Sequence, residues 1–103
     1  MRVRVLSPAL DEISSAALWF DSQRDGLGDE FWQSADAMLT QIEETPLRFA
    51  KSEFATSEID LRFAVVRRFQ YVIHFAIQAD EVQVVAVAHA ARKPGYWLRR
   101  TRQ

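Results

Sequence analysis

The sequence predicts an α+β fold in the order β-α-α-β-β-β. A helical hairpin packs on one face of a small, mostly antiparallel sheet, and a short C-terminal tail follows. Three observations lead there. Apolar residues recur at helical spacing within residues 13–20 and again within 27–42. From Ile59 onward the apolar period drops to two. Pro8, Gly26 and Pro46 stand where those stretches begin or end.

The first strand is short, with Val3 and Val5 on one face and Arg2 and Arg4 on the other. Ser7 and Pro8 then start a helix. Ser7 caps free backbone N–H groups, and Pro8 suits the first helical position because its missing N–H costs nothing there. Asp11 and Glu12 sit near the positive end of the helix dipole. Ile13, Ala16, Ala17 and Phe20 build the buried stripe, and Gly26 takes the left-handed turn that ends the helix. A second helix runs from about Gly28 to Thr45 on Leu27, Phe31, Ala35, Met38 and Ile42, and Pro46 stops it. The short connection makes the pair antiparallel.

Residues 47–58 read as a loop that tucks one aromatic, Phe49 or Phe54, under the sheet. Ile59, Leu61, Phe63 and Val65 then alternate with Asp60, Arg62, Ala64 and Val66. Tyr71, Ile73, Phe75 and Ile77 repeat the pattern, as do Val82, Val84, Ala86 and Ala88, with turns at 67–70 and 78–81. The face opposite these large residues is not cleanly polar. Ala64, Val66, Val72, Ala76, Val85 and Val87 lie there beside Arg62, His74, Gln83 and His89. A sheet bare on one side shows clearer alternation. This face therefore reads as a groove, covered by the C-terminal tail or by a partner chain.

Length makes residues 1–103 one domain. Hydrophobic residues reach 49%, with seven Phe, three Trp and two Tyr, which is enough for a core without staples. No cysteine is present, so disulfides, thiolate metal sites and cysteine nucleophiles are excluded, and no metal or cofactor is expected. No apolar run approaches the roughly 18 residues that span a bilayer, and residues 1–8 lack an apolar signal core. The expectation is a cytoplasmic protein without a membrane partner. Charge is sorted along the chain: residues 1–60 hold five Lys/Arg against twelve Asp/Glu, residues 61–103 hold eight against two. A basic half of this kind faces something anionic, either nucleic acid or an acidic protein.

Four segments carry a likeness. Gln23-Arg24-Asp25-Gly26-Leu27-Gly28-Asp29-Glu30-Phe31 joins an Ala- and aromatic-rich first helix to the second. Ile42-Glu43-Glu44-Thr45-Pro46-Leu47-Arg48-Phe49 closes the second helix. Arg67-Arg68-Phe69-Gln70-Tyr71-Val72-Ile73 opens the third strand, and residues 85–97, ending His89-Ala90-Ala91-Arg92-Lys93-Pro94-Gly95-Tyr96-Trp97, complete the set. In this order the chain resembles the RelE/ParE superfamily of bacterial type II toxins, often labelled plasmid-stabilisation proteins. The resemblance implies a growth inhibitor held inactive by a cognate antitoxin. That antitoxin is a small DNA-binding protein whose flexible segment wraps the toxin and lets the complex repress its own operon. Direct sequence-specific DNA binding is not expected of this chain alone. RelE-like members cut mRNA in the ribosomal A site, whereas ParE-like members poison DNA gyrase.

Metal-independent RNA cleavage needs a base, an acid and cations for the phosphorane charge. His89, Arg92 and Tyr96 are the catalytic candidates if the chain is a nuclease. His89 ends the last strand with Arg92 three residues on, and imidazole titrates close to neutrality. His89 reads equally as a cap on the strand end. Arg62, Arg67, Arg68, His74, Arg92, Lys93, Trp97, Arg99 and Arg100 are the candidates for binding antitoxin or target. Tyr96 and Trp97 either stack bases or anchor the tail on the sheet. RelE-type nucleases carry a lysine cluster in the middle of the chain, where this sequence has Lys51 alone and a pI near 6.1. Phosphate contacts dominate nucleic-acid affinity, so this composition speaks against a nuclease. The tail also looks more like the ParE-like branch. The expectation is a non-catalytic, ParE-like inhibitor of gyrase. A RelE-like ribosome-dependent mRNA endonuclease is the alternative, and a non-toxic module that binds a peptide by strand addition is a third.

Overall fold

A computed structural model describes residues 1–102. The elements are β1 (Arg2–Val5), α1 (Ser7–Gln23), α2 (Leu27–Glu44), β2 (Asp60–Val66), β3 (Tyr71–Gln78) and β4 (Glu81–His89), with 3-10 turns at Pro46–Arg48 and Leu98–Arg102. This is the α+β arrangement the sequence predicts. The strand order is β1-β4-β3-β2. β2, β3 and β4 form successive antiparallel hairpins, while β1 joins β4 in parallel, with Val3 opposite Val82 and Val5 opposite Val84. The turns between strands fall where expected, and Gln70 and Ala79 take positive φ there.

Strand pairing runs one residue past β1. The Leu6 N–H donates to Val84 C=O at 3.0 Å, and the Leu6 C=O then accepts from Leu10 N–H at 3.0 Å. The helix therefore begins at Ser7 itself. Leu6 holds the cap position without a side-chain cap, and Ser7 is not the capping residue. Gly26 is left-handed as expected, with φ 87°, but it opens α2 rather than closing α1, which has already ended with Arg24 in extended backbone. The hairpin closes on Gly28. Its N–H donates to Asp21 Oδ1 at 2.8 Å, and a Cβ at this position would lie 2.4 Å from the Ala17 carbonyl oxygen. Ile13, Ala16, Ala17, Phe31, Ala35 and Ile42 are buried. Phe20 and Phe31 pack on Phe69 and Tyr71 with ring centroids 4.9 to 5.9 Å apart, mostly edge-on, as aromatic quadrupoles prefer.

Two strands present other faces than alternation suggests. β2 sets Arg62, Ala64 and Val66 beside Phe75, Ile73 and Tyr71, so Ala64 and Val66 meet the helices and Leu61 faces away. In β4, Phe75 lies opposite Val84 and His74 opposite Ala86, which leaves Val85 as an extra residue in a bulge. Val82 and Val84 face the helices before the bulge and Val87 after it, while Ala86 turns to the other side. A strict period of two keeps Val82, Val84, Ala86 and Ala88 on one face. One inserted residue breaks that parity.

The second face of the sheet is closed by the chain itself. Leu61, Ala76, Val85, Ala86 and Trp97 make a second buried cluster, with Phe54, Ile59, Tyr96 and Leu98 packed around it. Trp97 is 1% exposed and stacks on His74 with ring centroids 4.4 Å apart. Of the two covers the sequence allows for the groove, the tail is the one in place. The loop before β2 supplies an aromatic to each face rather than to one: Phe49 meets Phe75 at 5.8 Å on the helix side, and Phe54 meets Trp97 at 5.9 Å on the other.

Candidate functional site

α1 crosses the end of β4 and leaves a cleft of about 470 Å³. Asp11, Glu12, Ser15 and Trp19 come from α1, where positions four apart share a face. Tyr71, Val87 and His89 come from the sheet, and Arg92 follows β4. An adjoining apolar pocket shares Trp19, Tyr71 and His89 and adds Phe20 and Phe69. His89 faces this cleft because of the bulge. It lies opposite Tyr71, with the two rings perpendicular and 5.4 Å apart. Strict alternation from Val84 through every residue to the strand end would instead point His89 to the tail side.

Glu12 is the hub behind the cleft. Its Oε1 accepts from the Val87 N–H at 3.0 Å and from Arg100 at 2.9 Å, and its Oε2 accepts from the Tyr96 hydroxyl. β1 ends opposite Val84, so the Val87 N–H lies beyond its last strand neighbour, and the carboxylate takes that place. Arg100 also donates to the carbonyl of Val85, the bulge residue, at 3.1 Å. The Arg92 guanidinium lies 3.7 Å from the Tyr96 ring centroid, a cation–π contact. Burial, with the hydrogen bond to Glu12 adding to it, pushes the Tyr96 hydroxyl up to about 12. Its proton stays on the oxygen and points at Glu12. His89 Nδ1 accepts from the Ala91 N–H at 3.0 Å, so the neutral ring carries its proton on Nε2. The cleft thus offers donors, His89 Nε2–H and the Arg92 guanidinium, to an acceptor or anion.

The residues singled out from sequence fall into separate groups. His89, Arg92, Tyr96 and Arg100 converge at the cleft. Lys93 and Arg99 are exposed on the tail. Arg67 and Arg68 sit on the turn between β2 and β3, where Arg68 pairs with Glu30 and lies 4.8 Å from the Phe69 ring centroid. The bond from Arg68 holds the Glu30 carboxyl below its ordinary value. Arg62 is at the other end of β2. Its side chain is 12% exposed, pairs with Asp60 at 2.9 Å and donates to the carbonyls of Leu47 and Phe49 at 3.1 and 2.8 Å. It clasps the loop before β2. His74 lies beneath Trp97, and burial lowers its imidazole to about 4. Arg62, His74, Trp97 and Arg100 were expected to face a partner. All four are engaged within the chain: the loop before β2 takes Arg62, Trp97 lies on His74, and Arg100 is held by Glu12 and the Val85 carbonyl.

Two residues of the site escaped the sequence reading. Glu12 read as a helix-dipole residue, yet it lies beyond the first turn, and nothing local signals bonds to Val87, Tyr96 and Arg100. Trp19 carried a usable signal: it is an aromatic outside the buried stripe of α1, and it is 57% exposed beside the cleft. Among the described residues no group of three or more His, Cys, Asp or Glu is placed to hold a metal ion. Among the described residues no helix is long and apolar enough to cross a membrane.

No protein-family model matches the chain, and no curated protein matches it. Among solved structures it is similar to a chain described as the chromosomal ParDE TA system from P. aeruginosa. The TM-score is 0.62 at 10% sequence identity, over 86% of this chain and 95% of that one. At that identity the likeness is one of architecture, and the fold is the one found in that system.

Proposed function

We propose that this chain is the toxin component of a type II toxin–antitoxin system. A cognate antitoxin holds it inactive, and it acts in the cytoplasm as a ParE-like inhibitor of DNA gyrase. The observation that carries the reading is the fold shared with a chain of the ParDE system over 86% of this chain's length. The antitoxin is a small DNA-binding protein, and the exposed cations Arg67, Arg68, Arg92, Lys93 and Arg99 are the side chains offered to its acidic segment or to the target.

Binding is favoured over RNA cutting by the state of Tyr96, one of the two candidate proton carriers. The Tyr96 hydroxyl is held by Glu12 with its titration pushed up to about 12, and His89 Nδ1 is held by the Ala91 N–H. The phenol is therefore not free to move a proton to or from a substrate, whereas His89 keeps its Nε2–H directed at the cleft. The RelE-like alternative is supported by the placing of His89, with its Nε2–H, and Arg92 on the same cleft.

Inducing the chain alone in a bacterium should arrest growth, and the product of a small neighbouring gene should relieve the arrest. Unimpaired growth counts against the toxin class. With purified protein, gyrase supercoiling should be inhibited while mRNA on programmed ribosomes stays intact. Cleavage that disappears in His89→Ala, with supercoiling untouched, would replace gyrase by mRNA as the target.

A further inference from the structure

β2 is an edge strand, and only half of its outer edge is in use. The Ser52 N–H donates to Leu61 C=O at 2.8 Å, and the Phe63 N–H donates to Ala50 C=O at 3.2 Å, with Lys51 opposite Arg62. In an antiparallel strand the N–H and C=O of a residue point the same way, and the direction alternates along the chain. Leu61 and Phe63 point outward, so Val65 does too. Before Ala50 the chain enters the Pro46–Arg48 turn and leaves the edge. The Phe63 C=O and both backbone groups of Val65 have no hydrogen-bond partner among the described residues.

An open edge of this kind is a template for another strand unless something blunts it. β2 contains no proline and pairs with β3 without a register shift. Ala64 and Val66, both buried, pack it against the helices. Beside the open stretch lies a cleft of about 440 Å³ lined by Phe54, Phe63, Val72, His74 and Pro94, with Lys51 and Glu53 on the same lining. Every second side chain of an added strand would lie on the side of that cleft. Lys51 and Arg67 bracket the stretch, both exposed, and neither forms an ion pair among the described residues. A second copy of β2 laid on the same edge would bring these cations against their own kind. We infer that the open half of β2 takes an extended segment of another protein, alternating apolar and acidic residues, as an added strand in line with residues 50–52. Main-chain bonds to Phe63 and Val65 supply affinity, the cleft takes the apolar side chains, and Lys51 and Arg67 take the acidic ones. The inference stands whether or not the chain is a toxin, and its test is separate from growth arrest.

The probe is a short capped peptide that alternates valine and glutamate, titrated into the isotope-labelled full chain. Two further peptides accompany it: the valine–lysine counterpart and a helix-forming alanine–glutamate peptide of equal charge. The expected result is amide shifts centred on residues 63–67 and on Lys51, with Val65 amide exchange slowed by about tenfold or more. Only the valine–glutamate peptide should act. Val65→Pro, which deletes the outward donor, should abolish the effect. Arg67→Glu, an exposed substitution that leaves the backbone intact, should weaken it at least several-fold and so covers the case in which the proline variant does not fold. Unchanged Val65 exchange, equal action by the lysine or helical peptide, or shifts that map to the Trp19 cleft overturn the inference. So does self-association through β2 that the acidic peptide fails to compete away.

Discussion

The Tyr96 hydroxyl donates to the carboxylate of Glu12, 84 residues earlier in the chain, and the other oxygen of that carboxylate takes Arg100 and the Val87 N–H. One side chain thereby ties α1, β4 and the tail together. Glu12 and Arg100 are 16% and 20% exposed, so solvent screens the pair only in part.

Glu12→Ala should lower stability by roughly 3 kcal/mol, because it leaves a largely buried guanidinium and a phenol without their partner. Glu12→Gln, which keeps an acceptor, should cost less. Denaturant midpoints measure both. Quenching by acrylamide reports the tail: Trp19 and Trp32 are already 57% and 37% exposed, whereas Trp97 is 1% exposed and becomes quenchable only if the tail lifts. A wild-type midpoint together with wild-type quenching refutes the role given to Glu12.

Tyr96→Phe keeps the ring beneath Arg92 and removes one hydrogen bond. A loss of about 1–2 kcal/mol in stability is expected. Growth arrest by the variant should match the wild type. Arrest lost while the fold survives assigns the hydroxyl a chemical role and favours the nuclease reading.

Acid should weaken the fold through His74. Burial holds its imidazole at about 4, below the ordinary 6.5, so the unfolded chain binds this proton more readily than the folded one. The contribution is therefore complete above about pH 6.5 and is lost as pH falls toward 4. Glu30, lowered from 4.5 by Arg68, adds a loss in the same direction only at more acid pH. His74→Phe keeps a ring against Trp97 and should flatten the midpoint between about pH 7 and pH 5. An equal slope in variant and wild type shows that His74 is not the responsible group.

Gly28→Ala should destabilise, although alanine is the better helix former. The new Cβ would lie 2.4 Å from a backbone carbonyl oxygen of Ala17 and 2.8 Å from the Asp21 carboxylate. The carboxylate can swing away, but the carbonyl belongs to α1 and cannot. Overpacking of this kind costs about 1–3 kcal/mol. Thermal unfolding of the variant checks it, and a raised midpoint would show that the hairpin opens more easily than its geometry suggests.

The element order was legible in the sequence because periodicity and breakers agree locally. Ile13 to Phe20 and Leu27 to Ile42 repeat at helical spacing, and Pro46 ends the second helix. Sidedness was less legible. Both faces of the sheet are covered, so apolar residues at Leu61 and Ala64 give no sign of which meets the helices. The bulge at Val85 inserts a residue that no local pattern marks. The use of Trp97 as the cover of the second face depends on contacts with Leu61, Ala76 and His74, far away in sequence. Glu12 was missed for the same reason, since its partners are brought to it only by the finished fold.

The parallel pairing of β1 with β4 has a consequence for how the protein is made. Arg2 to Val5 are synthesised before every other element of the fold, yet their strand neighbour is Glu81 to Val84. The opening strand must wait, unpaired, until most of the polypeptide has emerged. The hairpin of α1 and α2 closes over a short connection and can assemble during that interval, but the sheet cannot. Contacts between such distant stretches slow assembly. A chain interrupted before β4 would keep its helices and lack the neighbour its first strand requires, so premature termination would leave an unfinished sheet rather than a smaller working version.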